Sequence, residues 1–294
     1  MAQDRLTVLV IGATGKQGGA AARALLDKGH AVRALTRSPD SEAARVLGRM
    51  GAEVVQGDLE DPTSLDRAAR GADALFGLTF PHGGVEAEIA QGLALVDVVE
   101  RAGLRHMVFS SVASADQETG IPHFDTKARV EEAIAEADIP VTVIAPVFFM
   151  DNFLGGDWRQ GLESGNLVMA MPPGRALQQI AVADIGAMAA LAFENRDRLL
   201  GARIDVASDE LTGEEAARKL SRALGEEVRY QQLSLETLRQ QSPEYATMFQ
   251  WFDDVGYSAD IEALRKGFPE VGWHRFDEWA EDVAAKELEP APVG

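Results

Sequence analysis

A glycine-rich segment near the start of the chain has the residue types and the spacing of a nucleotide-binding turn. Residues 12–19 read GATGKQGG, directly after the apolar run 6–11. Glycine permits a sharp turn and lets the backbone approach a pyrophosphate, while the N–H groups that open the next helix bind the anion. The spacing G-x-x-G-x-x-G departs from the usual G-x-G-x-x-G form. The segment predicts a dinucleotide site, with a tight turn that binds nothing as the alternative. The candidate contacts are Gly12, Thr14, Gly15, Lys16, Gln17 and Gly18.

The residues that follow the second apolar run indicate which dinucleotide this would be. A site for NAD carries Asp or Glu roughly 20 residues beyond the glycines, where the carboxylate binds the ribose hydroxyls. This chain has Thr36, Arg37 and Ser38 there. A guanidinium binds a phosphate through two hydrogen bonds, and Ser38 and Lys16 would add donors. The segment favours NADP(H), unless Arg37 only contacts solvent and Asp40 takes the role of the acid.

Apolar runs alternate with helical patterns along the first half of the chain. Such alternation is typical of right-handed crossovers and of a parallel sheet covered on both faces. It predicts an α/β fold with a doubly wound parallel Rossmann sheet. In the helix after the fourth strand, Val85, Ile89, Leu93 and Val96 share one face. The predicted strands are 6–11, 31–36, 53–56, 74–78, 106–110 and 141–145, and a helix is predicted from about Phe124.

The second half of the chain differs in composition. All four Trp, all three Tyr and eight of the twelve Phe lie after residue 147. This predicts a smaller C-terminal substrate or partner domain of residues 151–177 and 208–294. Residues 1–150, with 178–207 returning to them, would form the NADP(H)-binding Rossmann domain. The aromatic residues suit a pocket for a small apolar or aromatic substrate, with ordinary core packing as the alternative.

Eight segments together resemble the NmrA-like family of atypical short-chain dehydrogenases/reductases, over essentially the whole chain. They are GATGKQGG, VRALTRSP, GDLED, VFSSV, HFDTKARVEEAI, PVFFMDNF, DIGAMAA and DELTGEEAARKLSRALGEEVRY. The resemblance implies NADP(H) bound between a Rossmann domain and a small C-terminal domain. It also implies that Asp58 and Leu59 contact adenine, that Thr79 and Phe80 border a ribose, and that residues 146–149, including Pro146 and Phe148, border the nicotinamide.

The catalytic residues that the resemblance implies include one substitution. Enzymes of this superfamily carry Tyr-x-x-x-Lys, in which the lysine holds the nicotinamide ribose and the tyrosine exchanges a proton with the substrate. The matching segment here is HFDTK, so Lys127 is kept and His123 replaces the tyrosine. An imidazole titrates near working pH and can exchange protons. The alternative is that His123, after Pro122, shapes the helix start and contacts the cofactor without catalysis.

Further polar residues lie where the predicted strands end. Ser110 and Ser111 end the fifth strand, where such enzymes keep a serine that orients the substrate carbonyl. Either would assist His123, or both would satisfy loop backbone groups. His82, in the loop after the fourth strand, is a further candidate for the pocket, although a solvent-exposed loop histidine is the favoured alternative.

Composition excludes several classes of site and partner. The chain has no Cys, which excludes disulfides, thiolate metal sites and a cysteine nucleophile. Its five His show no metal-ligand spacing, and adjacent acids such as Glu131 and Glu132 are interpreted as solvated surface. The first apolar run is too short for a signal peptide or a membrane span, so we expect a cytoplasmic protein without membrane contact.

The charge balance is strongly acidic. Twenty-eight Lys and Arg stand against 47 Asp and Glu, for a net charge of −19. This charge disfavours direct binding of nucleic acid, which relies on cations that neutralise phosphates. It suits a halophilic source, and a GC-rich genome that encodes Arg and Ala freely is the alternative explanation for the scarcity of Lys.

Two functions remain after these exclusions. One is an NADPH-dependent reductase of a small carbonyl, quinone or enone. The other is a non-catalytic sensor that reads NADP(H) status and acts through a protein partner, because NmrA-like proteins without the tyrosine include redox regulators. A homodimer is compatible with either function.

The halophilic interpretation predicts a strong effect of salt on stability. If it holds, the melting temperature should rise steeply from low to molar KCl, because screening relieves repulsion among like charges. Thermal unfolding followed by circular dichroism over this range measures the effect. A flat or falling profile would leave only the genomic explanation.

Overall fold

Short apolar runs form most strands of this chain, and alanine-rich or amphipathic segments form its helices. The computed structural model describes residues 5–81 and 83–288. The strands are β1 (Thr7–Val10), β2 (Ala31–Thr36), β3 (Glu53–Gln56), β4 (Ala74–Gly77), β5 (His106–Ser110), β6 (Val141–Pro146), β7 (Phe148–Phe149), β8 (Asn166–Met169), β9 (Ala176–Ile180), β10 (Arg203–Val206), β11 (Asp209–Thr212) and β12 (Arg229–Gln232).

Helices follow most of these strands. They are α1 (Lys16–Asp27), α2 (Glu42–Arg49), α3 (Pro62–Ala69), α4 (Val85–Ala102), α5 (Pro122–Glu136), α6 (Gly156–Glu163), α7 (Val182–Glu194), α8 (Arg196–Leu199), α9 (Gly213–Leu224), α10 (Leu235–Gln241), α11 (Pro243–Asp254), α12 (Ile261–Gly267), α13 (Phe276–Trp279) and α14 (Ala285–Leu288). Short 3₁₀ segments cover Ala115–Gln117, Met150–Leu154 and Pro269–Val271, and a π-helical turn covers Ala280–Ala284.

The chain divides into two compact units. One is Met1–Pro146 with Val182–Asp205, and the other is Val147–Ala181 with Val206–Gly294. The predicted domain boundaries at 150, 178 and 207 lie within four residues of these divisions. That the first binds cofactor and the second substrate stays a prediction.

The first unit contains a seven-stranded sheet of order β10-β6-β5-β4-β1-β2-β3. Strands β1 to β6 pair in parallel. Helix α1 packs on α7, while α4 packs on both α3 and α5. The predicted doubly wound Rossmann sheet is therefore confirmed. The strand order reverses between β1 and β4, which is the position where open α/β sheets bind ligands.

The second unit has two small sheets and an aromatic core. The sheets have the orders β11-β9-β7 and β12-β8. Phe153, Phe252, Phe276 and Trp279 are buried, and Phe153 makes edge contacts with Trp158 and Phe276. These rings act as core, which is the alternative to a substrate-lining role that the sequence left open.

The buried face of α4 differs from the predicted one. Val85 and Leu93 are 39% and 47% exposed, although both belong to the predicted apolar face. Gly92 instead faces α5, where a Cβ atom at this position would lie 2.6 Å from a methyl group of Val130. This close packing turns Glu88 inward. The apolar periodicity was therefore misleading, because the contact with α5 decides which face is buried.

Each helix within residues 5–81 and 83–288 is too short or too polar to cross a lipid bilayer. Over the same ranges the chain does not bring three or more His, Asp or Glu side chains together as a metal site.

A buried histidine begins β5. His106 Nε2 lies 2.9 Å from Thr142 Oγ1, and this hydroxyl donates to the carbonyl oxygen of Leu199 at 2.7 Å. The hydroxyl hydrogen is thereby used, so Nε2 carries the proton of a neutral imidazole. Burial lowers the pKa of His106 to about 4.

This histidine should make folding stability depend on pH. Neutral His106 contributes its full stability above pH 6.5, and the contribution is lost as pH falls toward 4, because the unfolded chain then binds a proton that the fold excludes. The loss is about 3 kcal/mol. Urea unfolding at a series of pH values should show a smaller decrease for His106→Gln. Phe193→Leu is the control, because it removes a ring contact to His106 but no titratable group. If Phe193→Leu changes the loss of stability at low pH as much as His106→Gln does, the loss does not come from titration of His106.

Candidate cofactor site

The turn between β1 and α1 is closed by contacts that only glycine permits. Gly12 has a φ of +62°, and the N–H of Gly15 donates to the Gly12 carbonyl oxygen at 2.8 Å. A Cβ atom at Gly18 would lie 2.3 Å from that same oxygen. Gly15 precedes α1 without a side-chain cap. A helix that begins directly after a glycine turn is the arrangement that binds phosphate groups in many proteins.

A cavity of about 430 Å³ lies beside this turn in the first unit. It is bounded by the glycine turn, by the residues that follow β2 and β3, and by Phe80 after β4. Eight of the predicted cofactor residues line it, namely Gly12, Thr14, Gly15, Arg37, Ser38, Asp58, Leu59 and Phe80. The structure therefore brings together residues from four separate segments of the sequence.

The end of β2 supplies the residues that would select the cofactor. Arg37 and Ser38 are exposed and line the cavity, as does Ser41, which caps α2. Asp40 is not part of the lining among the described residues. The N–H of Ser38 donates to Thr36 Oγ1 at 3.1 Å, which fixes the start of this loop. That Arg37 binds a phosphate stays a prediction, with which its place in the cavity lining agrees.

The predicted catalytic lysine is held by a buried carboxylate. Lys127 Nζ lies 2.8 Å from Glu88 Oε1, and it donates to the carbonyl oxygen of Thr79 at 2.9 Å and to the Thr79 hydroxyl. The side chains of Lys127 and Glu88 are 12% and 2% exposed. Burial lowers the pKa of Lys127, while the charge and hydrogen bond of Glu88 act in the opposite direction. The lysine is thus fixed where β4 ends.

Two polar residues of α4 were missed by the sequence interpretation. Glu88 accepts from Thr79 Oγ1 at 2.8 Å, and Gln91 Oε1 accepts from the N–H of Phe80 at 2.8 Å. Together they hold the segment that follows β4. The only signal in the sequence is their spacing of three on a helix, which places both on one face.

Ser110 connects two of the predicted segments. Its hydroxyl donates to Gln17 Oε1 at 2.6 Å, which links the end of β5 to the first turn of α1. The neighbouring Ser111 donates to Glu131, whose other oxygen lies 2.7 Å from Arg203 Nε. Both hydroxyls therefore bond to side chains, which differs from the loop-backbone alternative.

The interpretation of Glu131 as solvated surface is wrong. Its side chain is only 15% exposed, because Ser111 and Arg203 both bond to it. Adjacent acids cannot share a helix face, but one of the two can still point inward. Glu132 is the neighbour that lies nearer the surface.

The remaining predicted residues lie elsewhere. Helix α5 begins at Pro122, so His123 belongs to the first turn and precedes Lys127 by one turn on the same helix. The His123 ring is half-buried and meets Phe124 edge-on.

The other predicted residues lie at the ends of elements. Lys16, Gln17 and Gly18 open α1, and Thr79 lies between β4 and Phe80. Pro146 ends β6 in the first unit, while Phe148 belongs to β7 in the second. His82 lies outside the described residues.

A sequence profile of the NmrA-like family matches residues 4–288. The chain belongs to the NmrA-like family. The resemblance carried by the glycine turn and the later segments is confirmed.

Proteins of known sequence or structure resemble most of the chain. A (4-alkanoyl-5-oxo-2,5-dihydrofuran-3-yl)methyl phosphate reductase of Streptomyces griseus is 31% identical over 233 residues, 79% of either chain. The structure of Citrobacter sp. triphenylmethane reductase complexed with NADP(H) superposes with a TM-score of 0.77 at 24% identity, covering 96% of this chain and 100% of that one. NmrA, a negative transcriptional regulator solved with NADP, gives 0.79 at 23% identity over 98% of both chains.

Arg37 should decide the choice of cofactor. Arg37→Asp should weaken NADPH by about 10- to 100-fold, since it removes a charged hydrogen-bond partner and places a like charge beside the 2′-phosphate. NADH lacks this phosphate and should lose much less affinity. Calorimetric or fluorescence titration with both nucleotides measures the difference.

Arg49→Asp is the matched control for Arg37→Asp. Arg49 lies at the far end of α2, outside the cavity lining of the described residues, and the substitution changes the net charge by the same amount. It should leave both affinities nearly unchanged. Equal losses for NADPH and NADH in Arg37→Asp would show that the guanidinium does not bind the phosphate.

Proposed function

We propose that this protein binds NADP(H) and uses it as a reductase of a small carbonyl, quinone or enone. The observation that carries the proposal is the cavity in which Arg37 and Ser38 lie beside the glycine turn. A cation and a hydroxyl at the end of β2 are the groups that distinguish a 2′-phosphate from a free ribose hydroxyl.

The residues present fit such a cofactor. The absence of Cβ atoms at Gly12 and Gly18 allows the turn to close, so that a pyrophosphate could approach the backbone at the start of α1. Leu35 and Leu59 supply apolar surface in the cavity, which an adenine ring could contact. A volume of about 430 Å³ is within the range of small-molecule sites.

Related proteins support the cofactor and the class of reaction. The Streptomyces griseus relative is a reductase, and the Citrobacter sp. structure is a reductase complexed with NADP(H). The fold of the Citrobacter sp. protein matches 96% of this chain.

The reaction needs one proton and one hydride. NADP(H), when bound, supplies the hydride. His123 would deliver the proton to the substrate oxygen, because imidazole is the side chain that most often acts as a general acid or base. Lys127 of α5, whose ammonium contacts Thr79 after β4, would hold the nicotinamide ribose. Water held by Ser110 and Lys127 is the alternative proton source.

A second function is favoured by the hydrogen-bond pattern. The hydroxyl hydrogens of Ser110 and Ser111 are donated to Gln17 and Glu131, and His123 replaces the usual tyrosine. Neither serine hydroxyl is therefore a ready donor to a substrate carbonyl. A non-catalytic NADP(H) sensor that acts through a protein partner, as the regulatory role of NmrA suggests, needs no such donors.

Nucleotide binding followed by turnover separates the two functions. NADPH, NADP⁺, NADH and NAD⁺ are titrated first, and NADPH oxidation is then followed against carbonyl and quinone substrates. Turnover supports the reductase. Tight binding without turnover, with different conformations in the oxidised and reduced complexes, supports the sensor.

Substitutions at His123 and Lys127 test the roles assigned to them. Lys127→Ala should weaken NADP(H) binding under both functions, because the ammonium contacts the cofactor whether or not hydride moves. His123→Phe should leave affinity nearly unchanged and lower turnover by about 10²- to 10⁴-fold, as for a lost general acid. Steady-state kinetics with the best substrate measures this.

His123→Tyr restores the family pentad and serves as the comparison. It should retain or gain activity if His123 is the proton donor. A wild type without turnover, alongside a His123→Tyr variant with a trace of it, would contradict the reductase and support the sensor.

A further inference from the structure

The ion pair between Lys127 and Glu88 is buried, whereas most ion pairs in proteins lie at the surface. Their nearest atoms are 2.8 Å apart, and 12% and 2% of the two side chains are exposed. Burying either charge alone is costly, so each depends on the other. The pair connects α5 to α4 at the end of β4.

The hydrogen bonds of the ammonium are fully used. An ammonium has three N–H donors. Lys127 Nζ has three acceptors, which are Glu88 Oε1, the Thr79 carbonyl and the Thr79 hydroxyl. The Thr79 hydroxyl in turn donates to Glu88 Oε1 at 2.8 Å. A ribose hydroxyl can therefore reach the ammonium only by replacing one of these contacts.

The charged groups around Lys127 come from two helices. Glu88 faces it from α4, and Glu131 lies one turn further along α5, where Arg203 partly neutralises it. The end of β4 contributes only Thr79, and β5 contributes the Phe109 ring at 5.9 Å from Nζ. Glu88 is thus the carboxylate in direct contact with the ammonium.

We propose that Glu88 is a positioning residue that keeps Lys127 protonated and aimed at the cofactor ribose. Glu88 holds one hydrogen of the ammonium throughout. A ribose hydroxyl would replace a bond between Lys127 and Thr79. The Thr79 hydroxyl can give up its bond to Lys127 because it still donates to Glu88. The part of this role that concerns the cofactor rests on the proposed function.

The protonation of Lys127 can be measured without cofactor. The chain has only six lysines, so ¹³C labelling at lysine Cε gives few NMR signals, and Lys127→Met assigns the one of interest. Removing a carboxylate in direct contact lowers a lysine pKa by about one to three pH units. Glu88→Gln should therefore lower the titration midpoint of Lys127 by this amount.

Glu86→Gln is the matched control on the same helix. Glu86 is exposed and lies 4.0 Å from Arg129, so the substitution removes an equal charge without touching Lys127. It should leave the midpoint of Lys127 in place. A midpoint that moves no further in Glu88→Gln than in Glu86→Gln overturns the proposal.

The cofactor arm of the experiment uses NADPH. In Glu88→Gln, NADPH affinity should fall as pH rises through the lowered midpoint, while the wild type stays constant over the same range. Glu88→Asp should restore much of the wild-type profile. A lowered midpoint without this loss of affinity overturns the role toward the cofactor. A wild type that binds no NADP(H) overturns the proposed function, and the NMR titration then still decides whether Glu88 controls Lys127.

Thermal unfolding covers the case in which Glu88→Gln folds poorly. Lys127→Met leaves Glu88 buried without its partner, whereas Glu88→Gln/Lys127→Met leaves neither charge. The double variant should melt at a higher temperature than Lys127→Met. An equal or lower melting temperature would show that the two charges are not coupled and would overturn the proposal.

Discussion

Close packing of backbone on backbone around α1 is the constraint on which the first unit depends. At Gly18 a Cβ atom would lie 2.3 Å from the Gly12 carbonyl oxygen, and at Gly186 it would lie 2.5 Å from the backbone of Ala20. The helix is thus pressed on one side against its own turn and on another against α7. Any side chain at either glycine would move α1 away from the end of β1. The start of α1 is therefore positioned partly by α7, a helix that lies more than 150 residues later in the sequence.

The charges of the candidate site are held in two different ways. Arg37 is exposed at the end of β2, where water solvates its charge. Lys127 is buried, and its charge is stable only through Glu88 and Thr79. The first arrangement suits a group that selects a ligand by its phosphate. The second suits a group that must keep one geometry, since a buried ammonium without partners would lose its proton.

The sequence predicted the parts of the fold that repeat a local pattern. The strands, the glycine turn and the position of Arg37 follow from apolar runs and from the residues that end them. The family was recognised because its motifs occur in order along the chain. The inward face of α4 could not be read in this way, since Gly92 meets Val130 across two helices that are separated in sequence. Glu88, Gln91 and Glu131 were missed for the same reason: a polar residue in a helix is ordinarily exposed, and only its distant partners show that it is buried.

The Lys127–Glu88 pair also bears on the choice between reductase and sensor. A sensor must bind the oxidised and reduced cofactor with different free energies, because a ligand shifts an equilibrium only through differential interaction. The oxidised nicotinamide ring carries a positive charge that the reduced ring lacks, so an unpaired ammonium beside it would favour the reduced form. Glu88 cancels that charge at 2.8 Å, which leaves a neutral pair. In the proposed complex this pair would therefore add little net charge beside either form of the ring. A sensor built on this site would therefore have to distinguish the two forms through other contacts with the nicotinamide ring.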